Sequence, residues 1–175
     1  YCAKNNQQQH CSQHFASIKD IEYDHGKKIL LATSSQVAAY DLMTAQTKVI
    51  LKERHTCVKR IDDNTLLAGG VNFLRIIHYP VADKADDSVY VVKDVALTNA
   101  TIADIQTDHS LVAVATVEKG VYLYMNNRLY HLSVKSGLTD NNCKSIFFDH
   151  ARHMWVSTAM GLNKVMFDEN RQRYT

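Results

Sequence analysis

Four acidic residues recur at one position of a repeating pattern: Asp24, Asp63, Asp108 and Asp149. Carboxylates ringed around a channel could serve a glycoside hydrolase, which needs two of them at a defined separation. A short acidic side chain at a hairpin turn is more simply a turn former, because it bonds nearby backbone. That reading is preferred. His150 and His153 flank one such turn. Histidine is a metal ligand and a pH switch, but structural zinc needs four ligands, so solvated loop histidines are expected. His10, Cys11 and His14 lie near Cys2 without the paired spacings of zinc modules, so no metal site is expected there either. Trp155 could stack on a sugar ring, but its mid-strand place argues for burial between sheets. No G-x-S-x-G, Ser-x-x-Lys or P-loop motif occurs. No catalytic residue and no cofactor is expected of this chain.

The elements that carry these residues are short. Ile18–Asp24, Ile29–Thr33, Val37–Tyr40 and Lys48–Leu51 are apolar or alternating runs divided by polar turns, the pattern of an all-β chain. The same order returns three times. Strand-leading isoleucines stand at 21, 61, 105 and 146, with steps of 40 (61 − 21), 44 (105 − 61) and 41 (146 − 105). A period near 40 with about four strands per unit is the blade length of a β-propeller. Blade 1 then covers 16–54, blade 2 covers 55–99 with an insertion at 81–88, and blade 3 covers 100–140. Blade 4 covers 141–175, its outer strand cut short at Gln172–Thr175. Residues 1–15 form a polar leader or outer strand. In blade 2, Gly69 falls where Thr33 and Thr158 stand elsewhere.

Composition narrows the rest. With 175 residues, 46% hydrophobic content and a net charge of +2, the chain can bury a core and does not call for a nucleic-acid partner. No apolar run approaches a membrane span, so no direct membrane insertion by this segment is expected. Cys57 and Cys143 read as buried small apolar groups; Cys2 and Cys11 could pair in an oxidising compartment.

The stretch from Ser136 to Val165 resembles the repeat of the regulator-propeller family, found in extracytoplasmic sensor regions of bacterial two-component systems. Gly137, Leu138 and Asn141 match its G-L-(S/T)-x-N turn, Ile146 and Asp149 its first strand, and Trp155, Thr158, Gly161 and Leu162 its W-x-G-T-x-x-G-L core. Cys143, Arg152, Ser157 and Val165 depart from the pattern.

The resemblance implies an incomplete arc, four consecutive four-stranded antiparallel blades of a ring of about seven. It implies the periplasmic sensing part of a membrane-anchored hybrid histidine kinase, with the kinase chemistry outside this chain. The ligand would be a small molecule or an oligosaccharide. The partners would be the remaining blades of the ring and a second protomer, the arcs having apolar, adhesive end faces. The alternatives are a propeller glycan hydrolase or lyase, marked by two facing carboxylates, and a scaffold for protein–protein interaction.

Overall fold

The computed structural model describes residues 2–5, 8–11, 15–24, 27–62, 64–78, 91–126, 128–168 and 173–174. β1 (Cys2–Asn5) and β2 (Gln8–Cys11) form a hairpin of their own, with Cys2 opposite Cys11. Among the described residues these two strands of the leader pair only with each other. β3 (Ile18–Asp24), β4 (Lys28–Thr33), β5 (Val37–Asp41) and β6 (Thr47–Leu51) make the four-stranded sheet of blade 1.

β7 (Cys57–Asp62), β8 (Thr65–Gly69), β9 (Val71–His78) and the first part of β10 (Val91–Asp108) make blade 2. The second part of β10, with β11 (Leu111–Val117), β12 (Gly120–Met125) and β13 (Arg128–Leu132), makes blade 3. β10 pairs with β9 from Val91 to Ala96 and again at Thr101, which also faces Val117 of β11, so the chain passes from one blade to the next without leaving the strand. A single turn of 3-10 helix, η1 (Val134–Ser136), precedes blade 4, which is β14 (Cys143–Phe148), β15 (Met154–Thr158) and β16 (Gly161–Val165). β17 (Phe167–Asp168) pairs with β18 (Arg173–Tyr174) and not with β16, so Arg173–Tyr174 is not the start of an outer strand for blade 4. The 81–88 insertion lies outside the described residues, as does Asp63.

All described pairings are antiparallel; blades 2 and 3 run through β10 as one seven-stranded sheet, and the four blades form an open arc of a propeller. The second strands of the two middle blades are sandwiched, which is why β8 and β11 read as unbroken apolar runs with almost every residue buried. The outer strands β6 and β13 are mostly exposed or half-buried. Three apolar clusters fill the three junctions. Leu30, Ala32 and Val37 of blade 1 meet Val58, Leu66, Ala68 and Ile77 of blade 2. Cys57, Leu67 and Leu74 meet Ile102, Ile105, Val112 and Val114 of blade 3. Leu111, Ala113, Ala115, Val121 and Leu123 meet Ile146, Met154, Val156 and Val165 of blade 4.

The structure corrects the alignment of blade 2. Ile105 and Ile146 are buried against the preceding blade, opposite Val114 and Val156. The residue in that place in blade 2 is Val58, 2% exposed and opposite Ala68, whereas Ile61 is 39% exposed. Likewise the amide of Gly70 donates to the Phe73 carbonyl (3.1 Å) as that of Thr33 donates to Gln36 (2.8 Å), so Gly70, not Gly69, stands where threonine stands elsewhere. The cause is a β-bulge. The inner strands of blades 1, 3 and 4 shift register at Ile18/Asp20, Ile102/Asp104 and Cys143/Ser145, and β7 has its shift later, at Arg60/Asp62. An extra residue on one strand moves every later side chain along.

Candidate functional site

Blade 4 and its junction with blade 3 gather the residues of the repeat signature. The approach is set by Gly137, at φ 107° just after η1, a left-handed turn that costs glycine nothing. Leu138 follows and is 6% exposed in the junction core. Asn141 ties three segments together: its carbonyl accepts from the Gly120 amide of blade 3 (2.7 Å), and its side-chain oxygen accepts from the Val134 amide (2.8 Å). The Ile146 amide donates to the carboxylate of Asp104 (2.7 Å), one blade back.

Asp149 collects four donors: the amides of Ala151 and His153 (both 2.9 Å), the His153 ring Nδ1 (3.0 Å) and the indole Nε1 of Trp155 (2.9 Å). The indole bond, above all, holds its carboxyl well below the usual carboxylate range. Asp149 therefore closes the turn and fixes the tryptophan ring. Asp108 has a different job. It accepts from Arg152 Nε (2.7 Å) across the junction and from its neighbour His109 (2.8 Å). Arg152 stands where the family pattern has glycine and takes the left-handed conformation, φ 63°. His150 is exposed, and His153 is committed to Asp149.

Thr158 caps the last turn. Its hydroxyl donates to the Gly161 carbonyl (2.9 Å) and lies 2.9 Å from the Thr139 hydroxyl. Gly161 is at φ 147°. Trp155 is half-buried rather than enclosed between blades, because it lies on the face of blade 4 turned away from blade 3. The same face carries its cross-strand neighbour Phe147, 64% exposed, and Leu162, 63% exposed; Lys164 places its ammonium 5.5 Å from the Trp155 ring centre. It is apolar but also polar, since Ser145 and Ser157 share a 2.8 Å hydroxyl contact there. A cleft of about 330 Å3 opens beside β16, lined by Leu132, Ser136, Gly137, Leu138 and Leu162–Val165.

Three polar residues that sequence reading passed over build the junctions. Asp20 accepts the Val58 amide (2.9 Å), as Asp104 accepts that of Ile146. Asn163, 9% exposed, accepts from the Thr139 amide (2.9 Å) and donates to the Thr139 hydroxyl (3.0 Å). The two aspartates had a visible signal: I-K-D-I at 18–21 and I-A-D-I at 102–105. Of the tyrosines, Tyr40 is buried, Tyr23 is 60% exposed and Tyr122 stacks on His131 at 4.6 Å. Among the described residues no group of three or more His, Cys, Asp or Glu is placed to hold a metal ion. Burial pushes the Cys143 thiol up to about 11 and raises that of Cys57 further, so neither is a reactive thiolate at neutral pH.

No family model matches the chain, and no curated protein does. Solved structures resemble it in fold. The extracellular domain of a hybrid two-component system from B. thetaiotaomicron superposes with TM-score 0.65 at 13% identity, over 94% of this chain and 22% of that one. A streptogramin B lyase gives 0.68 at 8% identity, over 91% and 54%. The computationally designed Ika4 protein gives 0.64 at 10% identity, over 87% and 92%. This chain thus spans under a quarter of that extracellular domain. At these identities the likeness defines the class, an all-β propeller arc that is not closed. Among the described residues no helix is long and apolar enough to cross a membrane.

Proposed function

We propose that the chain is a ligand-sensing propeller module of the regulator-propeller type, from the periplasmic part of a hybrid two-component histidine kinase. The observation that carries the reading is the signature set of blade 4. Gly137, Leu138, Asn141, Ile146, Asp149, Trp155, Thr158 and Gly161 are drawn into one continuous framework of bonds and packing that seats the blade against its neighbour. The likeness to extracellular domains of two-component systems supports the same reading. The ligand is an oligosaccharide, and binding biases the relative pose of two protomers, which requires different affinity for the two states. The phosphorelay chemistry belongs to the parent protein.

Calorimetric titration of the chain with a panel of oligosaccharides tests this. Saturable heat with unchanged glycan supports a sensor. Chain shortening or unsaturated products in the same mixtures would replace it with the lyase or hydrolase reading, which the streptogramin B lyase likeness keeps in view. No heat from any glycan, small metabolite or peptide pool would sink the sensing role of this segment.

A further inference from the structure

Among the described residues three blades have four strands and the last has three. β6 covers β5, β10 covers β9 and β13 covers β12, each antiparallel. β16 pairs with β15 on one side, and no described strand pairs with the other. An open edge presents a row of N–H and C=O groups that templates another strand. The cleft lies beside this edge, and Leu132, Leu138, Leu162 and Val165 give the side chains of an added strand an apolar seat.

The repeat identifies the segment that belongs there. An outer strand always runs just ahead of the inner strand of the following blade. β6 ends seven residues before Val58 (58 − 51), the blade-2 part of β10 nine before Ile105 (105 − 96), and β13 fourteen before Ile146 (146 − 132). β2 ends ten residues before Ile21 (21 − 11), inside that range. It stands where the outer strand of a blade preceding blade 1 would stand. β2 pairs with β1 on one edge only, and among the described strands it does not reach β16.

We propose that β16 takes β2 of a second copy of this chain as its fourth strand. Blade 1 of each copy follows blade 4 of the other, and two arcs close one ring of eight blades, within the range that propellers occupy. Ile21, 59% exposed where Val58, Ile105 and Ile146 are at most 4% exposed, is then covered by the Phe147–Trp155–Leu162 face. At this junction Ser145 holds the place of Asp20 and Asp104, opposite Ser157 as they are opposite Ala32 and Ala115. A neutral hydroxyl is a weaker acceptor than a carboxylate, so this junction opens before the internal ones and association is reversible. The inference rests on the propeller fold and the blade register, not on the sensor reading.

Sedimentation equilibrium of the full chain, with hydrogen exchange followed at 161–165, tests it. The expected result is a monomer–dimer equilibrium between 19.8 kDa and twice that mass, with protection of β16 amides rising with the dimer. Gln9→Pro removes a ladder donor from β2 and weakens the dimer at least about a hundredfold. Leu162→Glu does the same from the acceptor side. A mixture of the two variants recovers a heterodimer, because the intact β16 of one meets the intact β2 of the other. A constant 19.8 kDa mass up to about 1 mM overturns the proposal, as do protected monomer amides on the β16 edge turned away from β15 or a dimer indifferent to both substitutions. Loss of glycan binding with the dimer intact would touch the sensor reading alone.

Discussion

The junction between blades 2 and 3 and the junction between blades 3 and 4 perform the same task with different chemistry. At the second, a bulge aims Asp104 at the Ile146 amide, an Arg152–Asp108 ion pair spans the rim, and alanines 113 and 115 let the sheets approach. At the first there is no bulge at the corresponding place: Cys57 occupies it, opposite Gly69, and packs its sulfur against Ile102. The threonine cap is gone as well, and the Thr56 hydroxyl, on the connector just before β7, reaches the Gly69 carbonyl (3.2 Å). The junction between blades 1 and 2 follows the carboxylate pattern, with Asp20 on Val58 and a Lys59–Glu22 pair at 3.0 Å. Blade spacing is therefore a property of strand register and volume. The signature residues are one way of reaching it.

That contrast can be broken most sharply at Gly69. A methyl group there would meet Cys57 Sγ at 2.5 Å and Ile102 at 2.8 Å, so Gly69→Ala costs about 3 kcal/mol in denaturant unfolding. In a Cys57→Ala background the same change costs less, about 2 kcal/mol, since the obstructing sulfur is gone while the Ile102 contact remains. Equal costs in both backgrounds would show that volume is not what Cys57 and Gly69 share.

The carboxylate junction has its own test. Asp104→Ala leaves the Ile146 amide without its acceptor and costs about 2 kcal/mol. Asp104→Asn keeps an acceptor and loses about half as much, measured by the same unfolding curves.

His55 lies on the connector between blades 1 and 2 and is fully buried. Its Nδ1 faces the Glu53 carbonyl (3.1 Å), its ring meets Phe73 edge-on, and Nε2 has no hydrogen-bond partner among the described residues. Burial lowers its pKa below 6.5. The unfolded chain then binds the proton more readily, so stability is full above about pH 6.5 and falls as the pH drops below it. The slope reaches up to about 1.4 kcal/mol per pH unit. His55→Leu should flatten that part of a Tm-against-pH profile; an unchanged slope would assign the pH dependence elsewhere.

The smallest effect is expected at Arg152. Glycine would relieve its left-handed backbone but lose the largely exposed bridge to Asp108. The two nearly cancel, leaving a change within about 0.5 kcal/mol by thermal melt. A larger loss would make that ion pair, rather than packing, the main tie of the rim.

The all-β class and the strands of blades 1, 3 and 4 were legible because their apolar runs and turn residues repeat in register. Blade 2 was displaced by three residues, Ile61 for Val58, because the letters V-K-R-I do not reveal that a bulge is missing. Trp155 was expected between blades from its place in the pattern; its actual exposure depends on what stands on its outer side, which no local motif encodes. Asp20 and Asp104 were within reach of sequence reading, as an acid repeated one position before an isoleucine. Asn163 was not, because its partner Thr139 lies 24 residues away. The polar residues before β3 carried no sign of a hairpin whose β2 keeps an open edge.

The shared strand β10 has a consequence for how this chain can vary. Val91–Asp108 belongs to two sheets at once, with only Leu97–Ala100 between the pairings. A single inserted or deleted residue there turns every later side chain to the opposite face of its sheet. It would do so for a whole blade's inner strand rather than for one loop. Length changes are tolerated where blades are joined by slack chain, as at η1 between blades 3 and 4. The middle pair of blades is therefore inherited as one indivisible block, and duplication or loss of blades in this lineage should break elsewhere.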